Sequence, residues 1–326
     1  MNRNPMQPRR LGRSQLQTLP LALGGNAFGW TADEATSFAV LDRFVAGGFS
    51  LIDTADVYSK WVPGHSGGES ESIIGRWLKR RGRRDDVLIA TKVGGEIPAG
   101  HKGLSARHIK SAVEQSLQRL QTDYIDLYQA HYEDPDVSVE ETLGAFADLI
   151  AAGKVRAIGV SNHAVSKIEA TLVTSTALEL PRYETLQPLY NLYDRAEFEQ
   201  TFAPLCQAEG IGVINFYSLA SGFLTGKYRT EADVSASRRQ RSNRKYMTER
   251  GFRILSALDE VAARTGARQA QIAIAWVIAQ PGVTASLASA TSVQQMDELI
   301  ASVQLTLDAE ALALLDDASA YTASEG

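Results

Sequence analysis

The sequence predicts one α/β domain over residues 1–326, a (β/α)8 TIM barrel with an N-terminal β-hairpin and extra C-terminal helices. Three observations support this prediction. Strand-like and helix-like segments alternate in eight units, the number that closes a barrel. The strand-like segments are continuous apolar runs, as expected for strands buried on both faces. The links between units are short and lack linker composition, which favours parallel strands joined by right-handed crossovers.

The main competing fold is an open, doubly wound sheet, which usually carries a glycine-rich fingerprint after its first strand. The glycines of segment 24–29 lack the G-x-G-x-x-G spacing, and segment 222–227 is one residue short of a phosphate-binding P-loop. We therefore prefer the closed barrel.

A small hairpin is predicted first, from segments 11–14 and 16–19. Apolar runs then place the barrel strands at residues 21–25, 49–52, 87–92, 124–128, 155–160, 183–186, 211–215 and 283–287. Apolar residues at helical spacing place helices near residues 38–45, 73–78, 109–117, 143–150, 168–172, 198–205, 254–261 and 270–278, with a closing helix after residue 292.

Capping signals mark several helix ends. Thr31, Ser138 and Ser292 are each followed three residues later by Glu or Gln, the pattern of a capping box. Ser105 is predicted to begin a further helix, and the pair Gly47-Gly48 to end the first one.

Composition excludes several classes of partner. The net charge of −5 provides no overall field for nucleic acid or an anionic membrane. The N-terminus lacks the apolar core of a signal peptide, and the longest charge-free run, 269–296, is too polar to span a membrane. Cys206 is the only cysteine, so no internal disulfide forms, and we interpret it as a small buried side chain. We expect a cytoplasmic protein; the sequence does not predict its oligomeric state.

Polar residues follow the apolar runs at the point where each strand ends. In barrels of this type the active site lies at the carboxyl ends of the strands. Seven of these ends supply a hydrogen-bonding or ionisable group: Asp53, Lys92, His131, Ser161-Asn162, Gln187, Asn215 and Ser289. The sequence therefore predicts a site at this rim.

Four residue types near that rim suit proton donation to a carbonyl group. A tyrosine with an ordinary pKa near 10 is a poor acid, and an adjacent lysine is expected to lower the pKa of Tyr58. Asp53 would hold Lys92 in place, and His131 would orient the carbonyl. Hydride transfer to the carbonyl carbon requires a nicotinamide, on which Phe216 or Tyr217 would stack.

Six segments carry a family resemblance: Asp53-Thr-Ala-x-x-Tyr58, Thr91-Lys-Val-Gly94, Gln129-Ala-His131, Ile158-Gly-Val-Ser-Asn162, Leu186-Gln-Pro-Leu-Tyr-Asn191, and Tyr217 through Gly226-Lys227-Tyr228. With them, the chain resembles the aldo-keto reductases from about residue 21 to residue 299. The resemblance implies reduction of a small carbonyl substrate, with Tyr58 as general acid, Lys92 and Asp53 as its tuning pair, and His131 as the orienting residue.

The resemblance also implies an NADP site. Ser161, Asn162 and Gln187 would bind the carboxamide, Phe216 would stack on the nicotinamide unless the alignment shifts to Tyr217, and residues 218–227 would bind the diphosphate. The full predicted cofactor set is Gly25, Asn26, Asp53, Ser161, Asn162, Gln187, Phe216, Tyr217, Ser218, Leu219, Ala220, Gly222, Lys227, Arg238, Ser289, Thr291, Gln295 and Glu298. No metal is expected.

The 2′-phosphate of NADP needs a nearby cation. No Lys or Arg lies between Arg268 and Asp297, where the adenosine is expected. The basic cluster of Arg238, Arg239 and Arg241, with Arg244 and Lys245 after it, is the best candidate, as a lid. A solvated basic loop is the alternative.

Two other functions are compatible with the fold. A metal-dependent isomerase or hydrolase would use carboxylates near the same rim: Asp53, Asp56, Glu133 and Asp134, with His131. A non-catalytic, cofactor-binding regulatory subunit is the second alternative, since potassium-channel auxiliary subunits resemble this family. The predicted walls of the substrate pocket are aromatic: Trp30, Tyr58, Trp61, Tyr132 and Tyr193.

Overall fold

The computed structural model describes residues 6–97, 100, 102–235 and 243–321. Within them, eight parallel strands form a closed barrel in the order β10-β3-β4-β5-β6-β7-β8-β9, and a two-stranded antiparallel hairpin precedes it. The strands are β1 (Arg9–Arg10), β2 (Gln17–Thr18), β3 (Leu21–Gly24), β4 (Leu51–Asp53), β5 (Leu88–Val93), β6 (Ile125–Ala130), β7 (Val155–Ser161), β8 (Tyr183–Gln187), β9 (Gly212–Asn215) and β10 (Val283–Ala288). The predicted fold class is confirmed.

Helices surround the barrel. They are α1 (Glu34–Ala46), α2 (Glu69–Arg81), α3 (Ala106–Leu120), α4 (Val139–Ala151), α5 (Val165–Ala177), α6 (Ala203–Glu209), α7 (Glu231–Ser235), α8 (Glu249–Thr265), α9 (Gln269–Ala279), α10 (Val293–Gln304) and α11 (Ala309–Ala318). A π-helical turn, Phe198–Phe202, leads into α6, and 3-10 turns lie at Gly25–Ala27, Ala220–Thr225 and Arg244–Tyr246. None of the helices in the described residues is both long and apolar enough to cross a lipid bilayer.

The apolar strand runs are explained by two separate cores. Side chains alternate between the faces of a strand. Along β4 and β6, Leu51 and Leu127 belong to the inner cluster, whereas Ile52 and Tyr128 belong to the outer cluster that packs under the helices. Because both faces of each strand are buried, apolar residues do not alternate with polar ones along the strand sequences.

The N-terminal hairpin contributes to the inner core. Leu11 and Leu16 are buried in the same cluster as the inward-facing strand residues. Gly12 in the turn has φ +63°, and a Cβ there would lie 2.1 Å from the backbone oxygen of Glu184. The close approach of the hairpin to β8 therefore requires glycine at this position.

Most helix starts agree with the capping signals, and one does not. Ser105, Ser138 and Ser292 each accept a hydrogen bond from the amide three residues later, as predicted. The prediction for Thr31 is wrong: α1 begins at Glu34, and the Asp33 carboxylate accepts from the Thr36 amide at 2.8 Å. Aspartate competes well as an N-cap because its oxygen reaches the same free amides.

Candidate active site at the carboxyl ends of the barrel strands

A cavity of about 910 Å³ opens where the strands end. Its volume is near the upper end of the range for small-molecule sites, roughly 300–1,000 Å³. Its wall is formed mainly by residues at or just after the carboxyl ends of the strands, from the segment after β3 to the start of α10. The rim predicted from the strand ends therefore borders a real cavity.

Asp53 and Lys92 form an ion pair beneath this cavity. The Lys92 ammonium lies 2.6 Å from Asp53 Oδ2 and also donates to the backbone oxygen of Thr54 at 2.8 Å. Lys92 is fully buried, and Asp53 is 1% exposed. The Lys92 side chain comes from β5 and the carboxylate from β4, which are paired neighbours in the barrel.

Tyr58 completes a chain of three polar groups. The Lys92 ammonium donates to Tyr58 Oη over 3.3 Å. Because this contact uses the phenol oxygen as an acceptor, the hydroxyl hydrogen is left for an acceptor in the cavity, which Tyr58 lines. The four predicted side chains meet at one place, with His131 beside the Tyr58 ring at 6.1 Å between ring centroids.

The net effect on the pKa of Tyr58 differs from the sequence expectation. Burial raises this pKa above its ordinary value, and the lowering effect of the Lys92 charge is smaller than the effect of burial. The charge of Asp53 adds to the increase. Burial alone would lower the pKa of Lys92, but Asp53 and Tyr58 outweigh burial and raise it. At neutral pH the phenol therefore carries its proton and the lysine its charge.

His131 is a neutral imidazole at neutral pH. Burial, followed by the charges of Lys92 and Lys60, holds the pKa of His131 well below its ordinary value. Its Nδ1 is buried without a hydrogen-bond partner among the described residues. The ring stacks on Tyr132 at a centroid distance of 4.5 Å. A neutral imidazole has one N–H to donate, which suits an uncharged carbonyl oxygen.

Two glutamines saturate the Asp53 carboxylate. Asp53 Oδ1 accepts from Gln129 Nε2 at 3.1 Å and from Gln187 Nε2 at 2.9 Å. Gln187 lines the cavity, as predicted. Gln129 is fully buried, and the sequence assigns it no role beyond the segment Gln129-Ala-His131. Both glutamines donate hydrogen bonds to a carboxylate that would otherwise be costly to bury.

Ser161 and Asn162 follow β7 on the cavity wall. The Ser161 hydroxyl donates to the backbone oxygen of Gln187 at 2.8 Å. Asn162 has φ +52° and donates from Nδ2 to the backbone oxygen of His131 at 2.9 Å. Asn162 thus ties the end of β7 to the segment that carries His131.

Glu69 organises the turn that carries Tyr58. Its carboxylate accepts hydrogen bonds from the amides of Ser59 at 3.3 Å, Ser66 at 2.8 Å and Gly67 at 3.0 Å. Sequence reasoning missed this residue. The only local signal was a glutamate directly after Gly67-Gly68 at the start of a helix.

The segment after β9 borders another part of the cavity. Phe216 and Tyr217 both line it, with ring centroids 5.3 Å apart; Tyr217 is 50% exposed, and Phe216 packs against the inner core. Ala220, Ser221 and Gly222 have successive positive φ angles. A Cβ on Gly222 would lie 3.7 Å from Lys227 Nζ, so this ammonium lies beside the turn.

The Ser218 hydroxyl is engaged inside the protein. It donates to the backbone oxygen of Leu287 at 2.8 Å and lies 2.9 Å from the Asn215 and Ser286 side chains. Ser218 nevertheless borders the cavity.

The segment from β10 to α10 borders the remaining wall. Ser289 donates to Asn26 Oδ1 at 2.5 Å, and Gln295 Oε1 accepts from the amide and hydroxyl of Thr291. Glu298 forms an ion pair with Arg268. Arg268 was not predicted to lie here, because it precedes this segment by a whole helix and strand.

The structure brings most of the predicted set to one cavity. The predicted residues that line it are Asn26, Asp53, Tyr58, His131, Ser161, Asn162, Gln187, Phe216, Tyr217, Ser218, Leu219, Gly222, Lys227, Ser289, Thr291, Gln295 and Glu298. Gly25, Lys92 and Ala220 are not in the wall: Lys92 acts from beneath it, Gly25 accepts a hydrogen bond from Ser70, and Ala220 is buried. Arg238 lies outside the described residues.

The aromatic prediction holds for three of five side chains. Tyr58, Trp61 and Tyr132 line the cavity. Trp30 lies against Trp61 rather than in the wall, with ring centroids 5.7 Å apart. The prediction for Tyr193 is wrong, because its ring packs on Tyr246 at 5.0 Å.

Three carboxylates of the metal-enzyme alternative, Asp53, Glu133 and Asp134, have other partners. Glu133 accepts a hydrogen bond from the Ala164 amide at 3.1 Å, and Asp134 accepts one from the Leu104 amide at 2.7 Å. Asp53 is saturated by Lys92 and the two glutamines. Glu133 and Asp134 thus bind the backbone of two different segments, at Ala164 and at Leu104.

A buried acidic cluster lies behind the site. Burial, and after it the charge of Glu71, raises the pKa of Asp56 to about 8. The charges of Arg119 and Lys92 lower this pKa by smaller amounts. Asp56 Oδ1 is buried without a hydrogen-bond partner among the described residues. The Tyr128 hydroxyl is also buried in this cluster, and burial, then the charges of Asp56 and Glu71, raises its pKa.

We expect the Asp56→Asn variant to flatten the pH dependence of stability. Between the ordinary carboxyl pKa near 4 and the folded value of about 8, the folded chain keeps a proton that the unfolded chain releases. The free energy of unfolding should therefore fall with rising pH, by up to about 1.4 kcal/mol per pH unit from this group. Chemical denaturation at pH 6, 7 and 8 measures the slope.

The control for this prediction is Asp85→Asn, because the Asp85 side chain is 79% exposed. The slope of this control should match that of the unmodified chain. Equal slopes for Asp56→Asn and the unmodified chain would contradict the prediction.

The chain is similar in sequence to one protein family and to several known proteins. The sequence model of the Aldo/keto reductase family matches residues 20–320. The chain is 35% identical to Protein tas of Escherichia coli (strain K12), covering 95% of this chain and 97% of that protein. It is 36% identical to Aldo-keto reductase YhdN of Bacillus subtilis (strain 168), over 89% and 85%. It is 33% identical to a probable voltage-gated potassium channel subunit beta of Arabidopsis thaliana, over 92% of both chains.

Proposed function

The chain belongs to the aldo/keto reductase family, and from that premise we propose that it reduces aldehyde and ketone carbonyls to alcohols with NADPH. The observation that carries this proposal is a series of two hydrogen bonds, from Lys92 to Asp53 and from Lys92 to Tyr58, whose phenol faces a large cavity. This arrangement can supply a proton to an oxygen atom placed above Tyr58.

The proposed mechanism divides the reaction between carbon and oxygen. The reduced nicotinamide supplies a hydride to the carbonyl carbon when it is bound. The Tyr58 hydroxyl donates its proton to the carbonyl oxygen, and the Lys92 ammonium, 3.3 Å from Tyr58 Oη, stabilises the phenolate that remains. Neutral His131 donates a hydrogen bond that orients the carbonyl group. Asp53 keeps Lys92 charged and in place.

The cavity wall fits a dinucleotide. The carboxamide would find hydrogen-bonding groups on Ser161, Asn162 and Gln187. The nicotinamide ring would stack on the flat ring of Phe216. We assign the diphosphate to the turn Ala220–Thr225 and Lys227, where successive positive φ angles lie next to an ammonium group. Thr291, Gln295 and Glu298 would contact the adenosine, with Ser289 and Asn26 between the two ends.

Carbonyl reduction is tested by following oxidation of NADPH with a small panel of aldehydes and ketones. Steady consumption that depends on both protein and carbonyl compound supports the proposal. The similarity to potassium-channel beta subunits favours one alternative, a regulatory subunit that binds the cofactor without turnover. Cofactor binding without consumption across the whole panel would favour that alternative.

The preference for the phosphorylated cofactor is proposed to depend on the basic cluster. We expect the double variant Arg238→Ala, Arg239→Ala to weaken NADPH binding by about tenfold or more, and NADH binding much less, because a charged hydrogen bond to the 2′-phosphate contributes roughly 1.5–3 kcal/mol. Fluorescence titration with both cofactors measures the effect.

Arg244→Ala is the matched control for this double variant. Arg244 belongs to the same basic segment, but its guanidinium is 3.4 Å from the Glu231 carboxylate. This variant should leave the ratio of the two affinities close to that of the unmodified chain. An unchanged ratio in the double variant would exclude the cluster as the phosphate site.

A further inference from the structure

Lys60 places a positive charge on the cavity wall, two residues after Tyr58. Its ammonium donates to the backbone oxygen of Glu96. Among the described residues, no carboxylate forms an ion pair with Lys60, whereas Lys92, Lys245 and Arg268 are each paired with an acid. The charge of Lys60 is therefore available to a molecule in the cavity.

The charge of Lys60 reaches the reacting groups. It is one of the charges, after burial and Lys92, that lower the pKa of His131. Lys60 belongs to a different segment from the proposed diphosphate site, because Lys60 follows β4 and the diphosphate turn follows β9, three strands away around the barrel. An anion bound by Lys60 would thus belong to the substrate rather than to the cofactor phosphates.

Aromatic side chains line the same cavity as Lys60. Trp61 and Tyr132 line the cavity and are 44% and 48% exposed, although large aromatic side chains usually bury most of their surface. Trp61 lies between Tyr58, at 5.8 Å, and Trp30, at 5.7 Å, measured between ring centroids. These rings provide a wall for a flat or apolar molecule in the cavity that Lys60 also lines.

The backbone around Lys60 is held in place. The Lys60 amide donates to Val57 O at 2.9 Å, and the Gly68 amide donates to Tyr58 O at 2.8 Å. The Glu69 carboxylate holds the amide of Ser59 on one side and those of Ser66 and Gly67 on the other. A fixed loop reduces the ordering cost when a ligand pairs with its lysine.

We propose that Lys60, with Trp61 and Tyr132, forms an anion subsite that selects carbonyl substrates with a flat apolar body and a carboxylate or phosphate group. This inference rests on the proposed carbonyl reduction and specifies its substrate class. Lys60 is a specificity residue in this proposal, whereas Tyr58 and His131 act on the carbonyl group itself.

The test compares two matched aldehydes, 4-carboxybenzaldehyde and its methyl ester, which differ mainly in charge. We expect the acid to have a kcat/KM about tenfold higher than the ester, chiefly through a lower KM, as for one charged hydrogen bond. In Lys60→Met this ratio should fall to about one, and in Lys60→Arg it should be largely kept. Rising salt concentration should lower the ratio in the unmodified chain.

The outcomes separate this inference from the function on which it rests. Turnover of both aldehydes with a ratio near one, or a ratio that Lys60→Met leaves unchanged, overturns the anion subsite and leaves carbonyl reduction standing. If neither these aldehydes nor the wider carbonyl panel consumes NADPH, the proposed function fails, and the subsite fails with it. Circular dichroism of each variant shows that it is folded before its ratio is compared.

Discussion

The Tyr58→Phe variant is expected to lower kcat for carbonyl reduction by about 10²–10⁴-fold, the usual contribution of a general acid. Phenylalanine keeps the ring that packs near Trp61 at 5.8 Å and His131 at 6.1 Å, but it removes the proton and the contact with Lys92. Because burial keeps the pKa of Tyr58 above its ordinary value, the lost group is protonated at neutral pH. Steady-state kinetics with one aldehyde measure the loss.

The cofactor affinity of this variant separates chemistry from binding. We expect fluorescence titration to give an NADPH affinity within about twofold of the unmodified chain, since a role in the reaction changes the rate and not the assembly of the site. Tyr132→Phe is the matched control, because it removes a phenol hydroxyl from the same cavity wall without touching Lys92. Equal losses of kcat in both variants would remove Tyr58 as the acid.

Much of the site follows from the geometry of a parallel barrel. Strand ends meet at one rim, so the residue at the end of each apolar run predicts that Asp53, Lys92 and His131 lie together. Tyr58 is predicted to join them because it follows Asp53 by five residues, in the turn after the strand. None of these inferences required knowledge of loops or of side-chain conformation.

The parts that sequence reasoning missed depend on contacts between distant segments. Gln129 is recognisable as part of the site only once its amide is seen 3.1 Å from Asp53. Arg268 is recognised at the cavity only through its ion pair with Glu298. Lys60 is recognised as a charge available to a ligand only because no carboxylate among the described residues forms an ion pair with it. The pKa of Tyr58 was predicted with the wrong sign because burial, which a motif does not show, outweighs the nearby ammonium.

Lys92→Met is expected to lower both stability and turnover. Lys92 is fully buried, and its ammonium lies 2.6 Å from a carboxylate that is 1% exposed. Methionine keeps most of the volume but leaves the Asp53 charge with only Gln129 and Gln187 as partners among the described side chains. Removing one member of a buried ion pair costs about 3–5 kcal/mol of unfolding free energy. Turnover should also fall strongly, because the phenolate of Tyr58 loses its counter-charge.

A second substitution separates these two effects. In the double variant Lys92→Met, Asp53→Asn, no buried carboxylate is left without its lysine, so most of the lost unfolding free energy should return. Turnover should remain low, because the asparagine does not replace the ammonium 3.3 Å from Tyr58 Oη. Chemical denaturation and aldehyde kinetics on the same preparations measure both quantities. If turnover recovered together with stability, Lys92 would act by supporting the fold, and the proton-transfer chain proposed here would lose its middle member.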